Sequence, residues 1–164
     1  MTTTIVSAQP GDLPLVQSVA HRTWPIAYGK ILTQAQLDYM LNLMYTLPAL
    51  EKQVAEGIEF LLLQEGGETV GFVGFQYDYL PETTKVHKLY VLPQMQGKGY
   101  GKALLLHVKD RAVAQGQARL RLDVNRNNKA LYFYQKLGFA EVDQVDTDIG
   151  NGFFMNDYVM ERKI

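Results

Sequence analysis

One run constrains this chain more than any other: Leu89-Tyr90-Val91-Leu92-Pro93-Gln94-Met95-Gln96-Gly97-Lys98-Gly99-Tyr100-Gly101-Lys102-Ala103-Leu104-Leu105. It reads as a β-strand, a tight glycine-rich turn and the start of a helix. Glycine tolerates positive φ and lets a backbone approach a ligand closely. The first N–H groups of a helix have no internal partner and sit at the positive end of its macrodipole. A diphosphate placed there is held by several donors at once, with Lys98 and Lys102 adding positive charge. The residues describe a phosphate cradle. A P-loop needs G-x-x-x-x-G-K-[ST], but Ala103 follows Gly101-Lys102 and position 96 is Gln. A dinucleotide fingerprint needs G-x-G-x-x-G, but Lys102 or Leu104 stands at the third glycine position. Both patterns fail. On this run alone, a turn that merely joins strand to helix remains the alternative.

The 164 residues suit one domain, 1–164, with one substantial core. An apolar fraction of 47% and a charged fraction of 20% are those of a soluble globular chain. The net charge of -1 provides no field that draws nucleic acid or acidic membranes. With no cysteine, a disulfide framework, a thiol nucleophile and a thiolate metal site are excluded. His21, His87 and His107 lack ligand-like spacing, so no metal is expected. No apolar run approaches the ~20 residues that span a bilayer. The start, MTTTIVSAQPGDL, lacks the pattern of a signal peptide. These features lead us to expect a cytoplasmic protein with no membrane or nucleic-acid partner.

Hydrophobic periodicity sets out the remaining elements. Thr2 to Ser7 reads as a strand. Asp12 is placed to cap a helix carrying Leu15, Val16, Val19 and Ala20, which Pro25 should end or kink near Trp24. Thr33 should cap a second helix carrying Leu37, Met40, Leu41 and Met44, and a third covers Pro48 to Glu56. Glu59 to Gln64 and Thr69 to Tyr79 form a hairpin across a Gly66-Gly67 turn. Thr83 to Leu92 is a strand with a parity conflict, since Val86 lies on one parity and Leu89 and Val91 on the other. Either a bulge near His87-Lys88 or burial on both faces resolves it. Gly97 to Gln115 is a helix with a stripe of Gly101, Leu104, Leu105, Val108 and Ala112, stopped by Gly116. Leu120, Leu122 and Val124 alternate in a strand. Asn127 to Leu137 is a helix, and strands at 139–147 and 152–161 follow. The order β, αα (ααα with the third), βββ, α, β, α, ββ predicts a mixed α/β domain around one central sheet.

Gln96-Gly97-Lys98-Gly99-Tyr100-Gly101 resembles the Q/R-x-x-G-x-G/A signature of the GNAT N-acyltransferase superfamily, and Val91-x-Pro93 resembles the strand before it. A second segment, Val124-Asn125-Arg126-Asn127-Asn128-Lys129-Ala130-Leu131-Tyr132-Phe133-Tyr134-Gln135-Lys136-Leu137-Gly138-Phe139, resembles that family's N..A...Y.kLGF strand–loop–helix at the expected spacing. The resemblance implies a mostly antiparallel sheet of about seven strands flanked by four or five helices. It implies acetyl-CoA as co-substrate, lying in a wedge between the strands that end at Leu92 and Val124. Backbone of Tyr90 and Val91 would pair with the pantetheine amides. N–H groups from Gln96 to Gly101, with Lys102 nearby, would hold the pyrophosphate. Asn125, Asn127, Asn128 and Lys129 stand where the family contacts the pantetheine arm or adenosine.

The implied activity is transfer of an acetyl group to a primary amine of a small molecule or peptide, by direct attack in a ternary complex. The family tyrosine that protonates the departing sulfur corresponds to Tyr134. In place of a carboxylate before the glycine turn stands Lys85-Val86-His87-Lys88. His87 titrates near neutrality as a free side chain, so it is the candidate base, ahead of Asp123, Asp78, Glu82 or a water chain. Trp24 and Tyr28, with Tyr39, lie where relatives build an acceptor wall. The resemblance also allows a homodimer, for which the aromatic strand Phe153 to Tyr158 is either interface or core. A CoA-binding sensor without turnover is the alternative from another functional class.

Overall fold

A computed structural model describes residues 2–164. The elements are β1 (Thr3–Ser7), α1 (Leu13–Tyr28), α2 (Gln34–Tyr45), α3 (Leu47–Ala55), β2 (Glu59–Glu65), β3 (Glu68–Leu80), β4 (Thr83–Val91), α4 (Tyr100–Ala114), β5 (Arg119–Asn125), α5 (Ala130–Lys136), β6 (Ala140–Gly150) and β7 (Phe153–Lys163). One sheet has the order β1-β2-β3-β4-β5-β7-β6. Only β4 and β5 run parallel; the other neighbours are antiparallel. The expected mixed α/β fold of seven strands and five helices is present.

Consecutive buried residues from Phe60 to Leu63, and again from Val70 to Phe75, show that the sheet centre is covered on both faces. Both α1 and α4 pack on β3 and β4, so the two helices take opposite faces. Leu104, Leu105, Val108 and Ala112 are the buried stripe of α4. Gly116, at φ +73, ends it in the left-handed region where a side chain would be strained.

Helix α1 departs from expectation, because it runs through Pro25 to Tyr28. Proline removes one N–H, here the donor to the His21 carbonyl. Pro25 and His21 are exposed, so water can serve that carbonyl, while Trp24 beside them is 3% exposed and anchors the turn in the core. Asp12 does not cap this helix but accepts a hydrogen bond from the Gln9 N–H at 2.8 Å. Thr33 does cap α2, accepting from Gln36 N–H at 3.2 Å. Two helices start later than periodicity suggested. Gly97 and Gly99 have φ of +83 and +81 and belong to the turn before α4. Asn125 and Asn128 accept from the N–H groups of Asn127 and Ala130, both at 2.9 Å, and hold the segment before α5 in turns.

The parity conflict in β4 is resolved by a bulge. Gly74 faces Lys88 and Phe75 faces Val86, which leaves His87 as the extra residue. A bulge bends its strand and increases the local twist. The parallel pairing with β5 stops at Val86↔Leu122, one residue before it.

Candidate functional site

Beyond Val86, β4 continues to Val91 paired only with β3, and β5 continues to Asn125 paired only with β7. The two strands therefore diverge, and the β4 backbone over 87–91 presents an unpaired edge to the gap. Strand edges of this kind accept an extended ligand as an added strand.

The glycine turn stands at the mouth of this gap. The first intrahelical bond of α4 runs from Ala103 N–H to Gly99 C=O at 3.0 Å. The N–H groups of Tyr100, Gly101 and Lys102 are therefore free of helical partners. A Cβ added at Gly97 or Gly99 would meet nothing within 4 Å, so open space lies in front of this backbone. Gly101 differs, since its φ is not in the left-handed region and a Cβ there would meet only Phe133 at 3.5 Å. Gln96 turns its amide back to the Val91 carbonyl at 3.3 Å, tying the turn to the strand. Tyr100 donates to Glu65, and Lys98 and Lys102 are exposed beside the turn.

On the other side of the gap lies a cavity of about 520 Å³, lined among others by Trp24, Tyr28, His87, Tyr90 and Asn125. Trp24 packs on Tyr28 at 4.7 Å, Tyr45 at 5.5 Å and Tyr90 at 5.8 Å between ring centroids. The Tyr28 and Tyr90 hydroxyls are 2.8 Å apart. The Tyr28 phenol is pushed up by burial, then lowered by its hydrogen bond with Tyr90, raised by the Asp157 charge and lowered by Asn128. That single phenol thus senses β4, β7 and the loop before α5. Tyr134 reaches the same cluster from α5, its ring against Phe133 at 5.2 Å and Phe139 at 5.8 Å. Burial, with Tyr28 nearby, pushes its phenol well above the usual range, so it stays protonated near neutrality. Asn127 and Lys129 are exposed on the loop at the mouth.

His87 requires a correction. Its near-neutral titration is not retained, because burial first, then Lys85 and Lys88, lower it from 6.5 to about 3. Its Nε2 lies 3.0 Å from Gln76 Oε1 and its ring packs on Tyr79 at 5.6 Å. A group that weakly basic is poorly suited to remove a proton from an ammonium ion.

Two cavity residues escaped the sequence reading. Lys88 is 8% exposed, with its ammonium 4.4 Å over the Tyr45 ring and lowered by burial from 10.5 to about 8. Asp157 is 5% exposed and raised to about 6, by burial first and the Asp123 charge second. A signal existed for each. Lys88 lies two residues before Tyr90 beyond the bulge and so shares its face of β4, and Asp157 shares the inward parity of Val159 in β7. Among the described residues the indole N–H of Trp24 and the Tyr45 hydroxyl are buried behind the cavity wall with no hydrogen bond of ordinary geometry; burial pushes the Tyr45 phenol up, and Trp24 is the neighbour that lowers it.

Comparison with known proteins agrees with this geometry. The sequence model of the Acetyltransferase (GNAT) family matches residues 20–139. The chain is similar to the aminoglycoside N(6')-acetyltransferase type 1 of Stenotrophomonas maltophilia, at 32% identity over 87% of this chain and 89% of that protein. It is similar to the spermidine N(1)-acetyltransferase of Thermoplasma acidophilum, at 25% identity over 93% and 91%. The crystal structure of PaiA N-acetyltransferase from Thermoplasma acidophilum in complex with coenzyme A superposes with a TM-score of 0.86 at 25% identity, covering 100% of both chains. Four other curated relatives are spanned over only 41% to 62% of their length. With a matching family model over most of its length, and a diverging strand pair capped by the expected glycine turn, the chain belongs to the acetyltransferase (GNAT) family.

Proposed function

We propose that this chain transfers an acetyl group from acetyl-CoA to a primary amine of a small molecule or peptide. The observation that carries this reading is the gap between β4 and β5, which joins a set of free helix N–H groups on one side to an aromatic cavity on the other. The residues present fit the co-substrate. Open space before Gly97 and Gly99 admits a pyrophosphate, held by N–H groups between Gln96 and Lys102 with Lys98 alongside. The unpaired edge at Tyr90 and Val91 matches the amides of a pantetheine arm. Asn125, Asn127, Asn128 and Lys129 flank the exit of that arm. When bound, acetyl-CoA supplies an activated thioester carbonyl.

This chain's residues provide the rest. Tyr134, protonated near neutrality, gives a proton to the leaving sulfur. A backbone N–H near Val91 polarises the carbonyl. Trp24 and Tyr28 form the wall against which the acceptor amine packs. The Lys88 ammonium, on the cavity lining, offers a donor to a polar atom of the acceptor. Cytoplasmic residence is supported by the absence of cysteine, and among the described residues no helix is long and apolar enough to cross a membrane. A homodimer through the edge hairpin is supported by exposed Val142 and Phe154.

The test is a free-thiol assay of CoA release across polyamines, aminoglycosides, amino acids and short peptides, with calorimetric CoA binding on the same sample. Amine-dependent release establishes the transferase and begins to name its acceptor. Tight binding without release for any amine turns the reading toward a CoA sensor. No binding removes it.

A further inference from the structure

We infer that Asp157 of β7 is the base that takes the proton from the acceptor amine, the task for which β4 offers no carboxylate. The inference rests on the acetyltransferase reading above and assigns a catalytic role within it.

Register places the residue. Asp157 stands opposite Asn125, the last residue of β5, at the open end of the gap. Directly opposed residues of an antiparallel pair project from the same face, and both line the acceptor cavity. Across that cavity, Tyr28 responds to the Asp157 charge and is hydrogen-bonded to Tyr90. The carboxyl therefore shares one cavity with the unpaired β4 edge at His87, Lys88 and Tyr90.

Its neighbours show why this acid differs from the others. Asp123, one pair further down the same face, is held by Lys85 at 3.0 Å. Glu161 is held by Arg121 at 2.7 Å, and Asp146 is bound by Arg126. Asp157 forms no ion pair and accepts no side-chain hydrogen bond among the described residues, although it is 5% exposed. An ionised carboxylate left this way costs folding energy, and a buried acid kept unpaired at a reactive gap is a candidate for proton transfer. The titratable groups around it are Tyr28 from α1, Lys85 from β4, Asp123 from β5, Arg126 from the following loop and Asp146 from β6. The acids raise Asp157 and the cations lower it, with burial the largest influence. A carboxyl titrating at about 6 is ionised at neutral pH and is a stronger base than an ordinary one.

The protons balance. The acceptor arrives as an ammonium ion and passes one proton to the Asp157 carboxylate, which frees the nitrogen lone pair. That pair forms the N–C bond at the thioester carbonyl, and the C–S pair leaves on sulfur. Sulfur takes the Tyr134 phenolic proton, and the second proton shed by nitrogen restores the phenol. Asp157 then releases its proton to water, so the products are amide, thiol and one proton.

The experiment compares wild type, Asp157→Asn and Asp157→Glu, using the most active amine of the panel. Calorimetric CoA affinity and wild-type turnover test the acetyltransferase reading itself. The role of Asp157 is tested separately, by kcat, KM and the pH–rate profile. Asp157→Asn should lower kcat by about 10²–10⁴-fold with CoA affinity unchanged. It should also abolish an acidic limb with its midpoint near 6, and Asp157→Glu should restore part of the rate. A kcat within a few fold of wild type, or a raised KM with the acidic limb intact, overturns the assignment. Independently of any acceptor, a carboxyl ¹³C titration assigned by its loss in Asp157→Asn should show a midpoint near 6. A midpoint near the ordinary ~4 overturns it as well.

Discussion

The lower and upper halves of β4 and β5 differ although they belong to the same two strands. From Thr83 to Val86 the strands are paired in register, and the charges beside them are matched, Lys85 with Asp123 and Arg121 with Glu161. Above the His87 bulge the pairing is lost, and the buried charges stand alone, Lys88 from one side and Asp157 from the other. Where backbone is satisfied by backbone, charge is satisfied by charge, and the region is built for stability. Where the backbone is left free, the charges are left free too, at a cost to folding that a binding function accounts for.

The comparison can be tested from its largest consequence to its smallest. Tyr134→Phe removes the only proposed proton donor of the open half and should lower kcat by about 10²–10³-fold, with CoA affinity unchanged by calorimetry. An unchanged kcat would make Tyr134 a packing residue. Gly99→Val forces a branched side chain into φ +81 and into the space before the free N–H groups. CoA affinity should fall by about 100-fold, from backbone strain plus obstruction. Gly101→Ala should change it little, because Gly101 has ordinary helical φ.

Lys88→Met should stabilise the protein below pH 8 by about 2 kcal/mol, being ~3 from the shift of 10.5 to about 8 less ~1 for the lost contact with the Tyr45 ring. The sign follows from linkage. Folding disfavours the ammonium form, so the penalty is full below the folded value of about 8 and disappears above the unfolded 10.5. Denaturation at pH 7 and pH 11 should show the gain only at the lower value. For Asp157 the sign is opposite. A carboxyl raised from 3.8 to about 6 disfavours the folded state fully above pH 6 and not at all below the unfolded value. Asp157→Asn should therefore stabilise at pH 8 by about 1–2 kcal/mol after allowance for solvent screening. The substitution predicted to slow the reaction most in this strand should thus make the protein more stable.

The smallest expected effect crosses the boundary between the halves. Lys85 lowers Asp157 even though it is paired with Asp123. Lys85→Met should move the acidic limb upward by about half a unit or less. An unmoved limb would mean that the two halves are electrostatically independent.

The alternation and periodicity of apolar residues set the order of elements and the stripe of α4, and the resemblance of two segments, Gln96–Gly101 and Val124–Phe139, implied the family and its sheet of about seven strands. These are local properties: side-chain period, φ freedom and helix ends are set by residues a few positions apart. The bulge was legible as one of two answers to the parity conflict between Val86 and Leu89, burial on both faces being the other, and the β3–β4 register decided between them. The run of α1 through Pro25 was not, because a distant core anchors Trp24 and makes one missing hydrogen bond tolerable. Nor was the standing of the charged residues. In the sequence His87 stands as a candidate base beside Asp123, Asp78, Glu82 or a water chain, and nothing singles out Asp157. Only the packed fold desolvates His87 between two lysines, so that it stays neutral, and sets Asp157 unpaired opposite Asn125. Protonation depends on burial and on charges brought together from α1, β4, β5, β6 and β7, and no span of sequence contains that information.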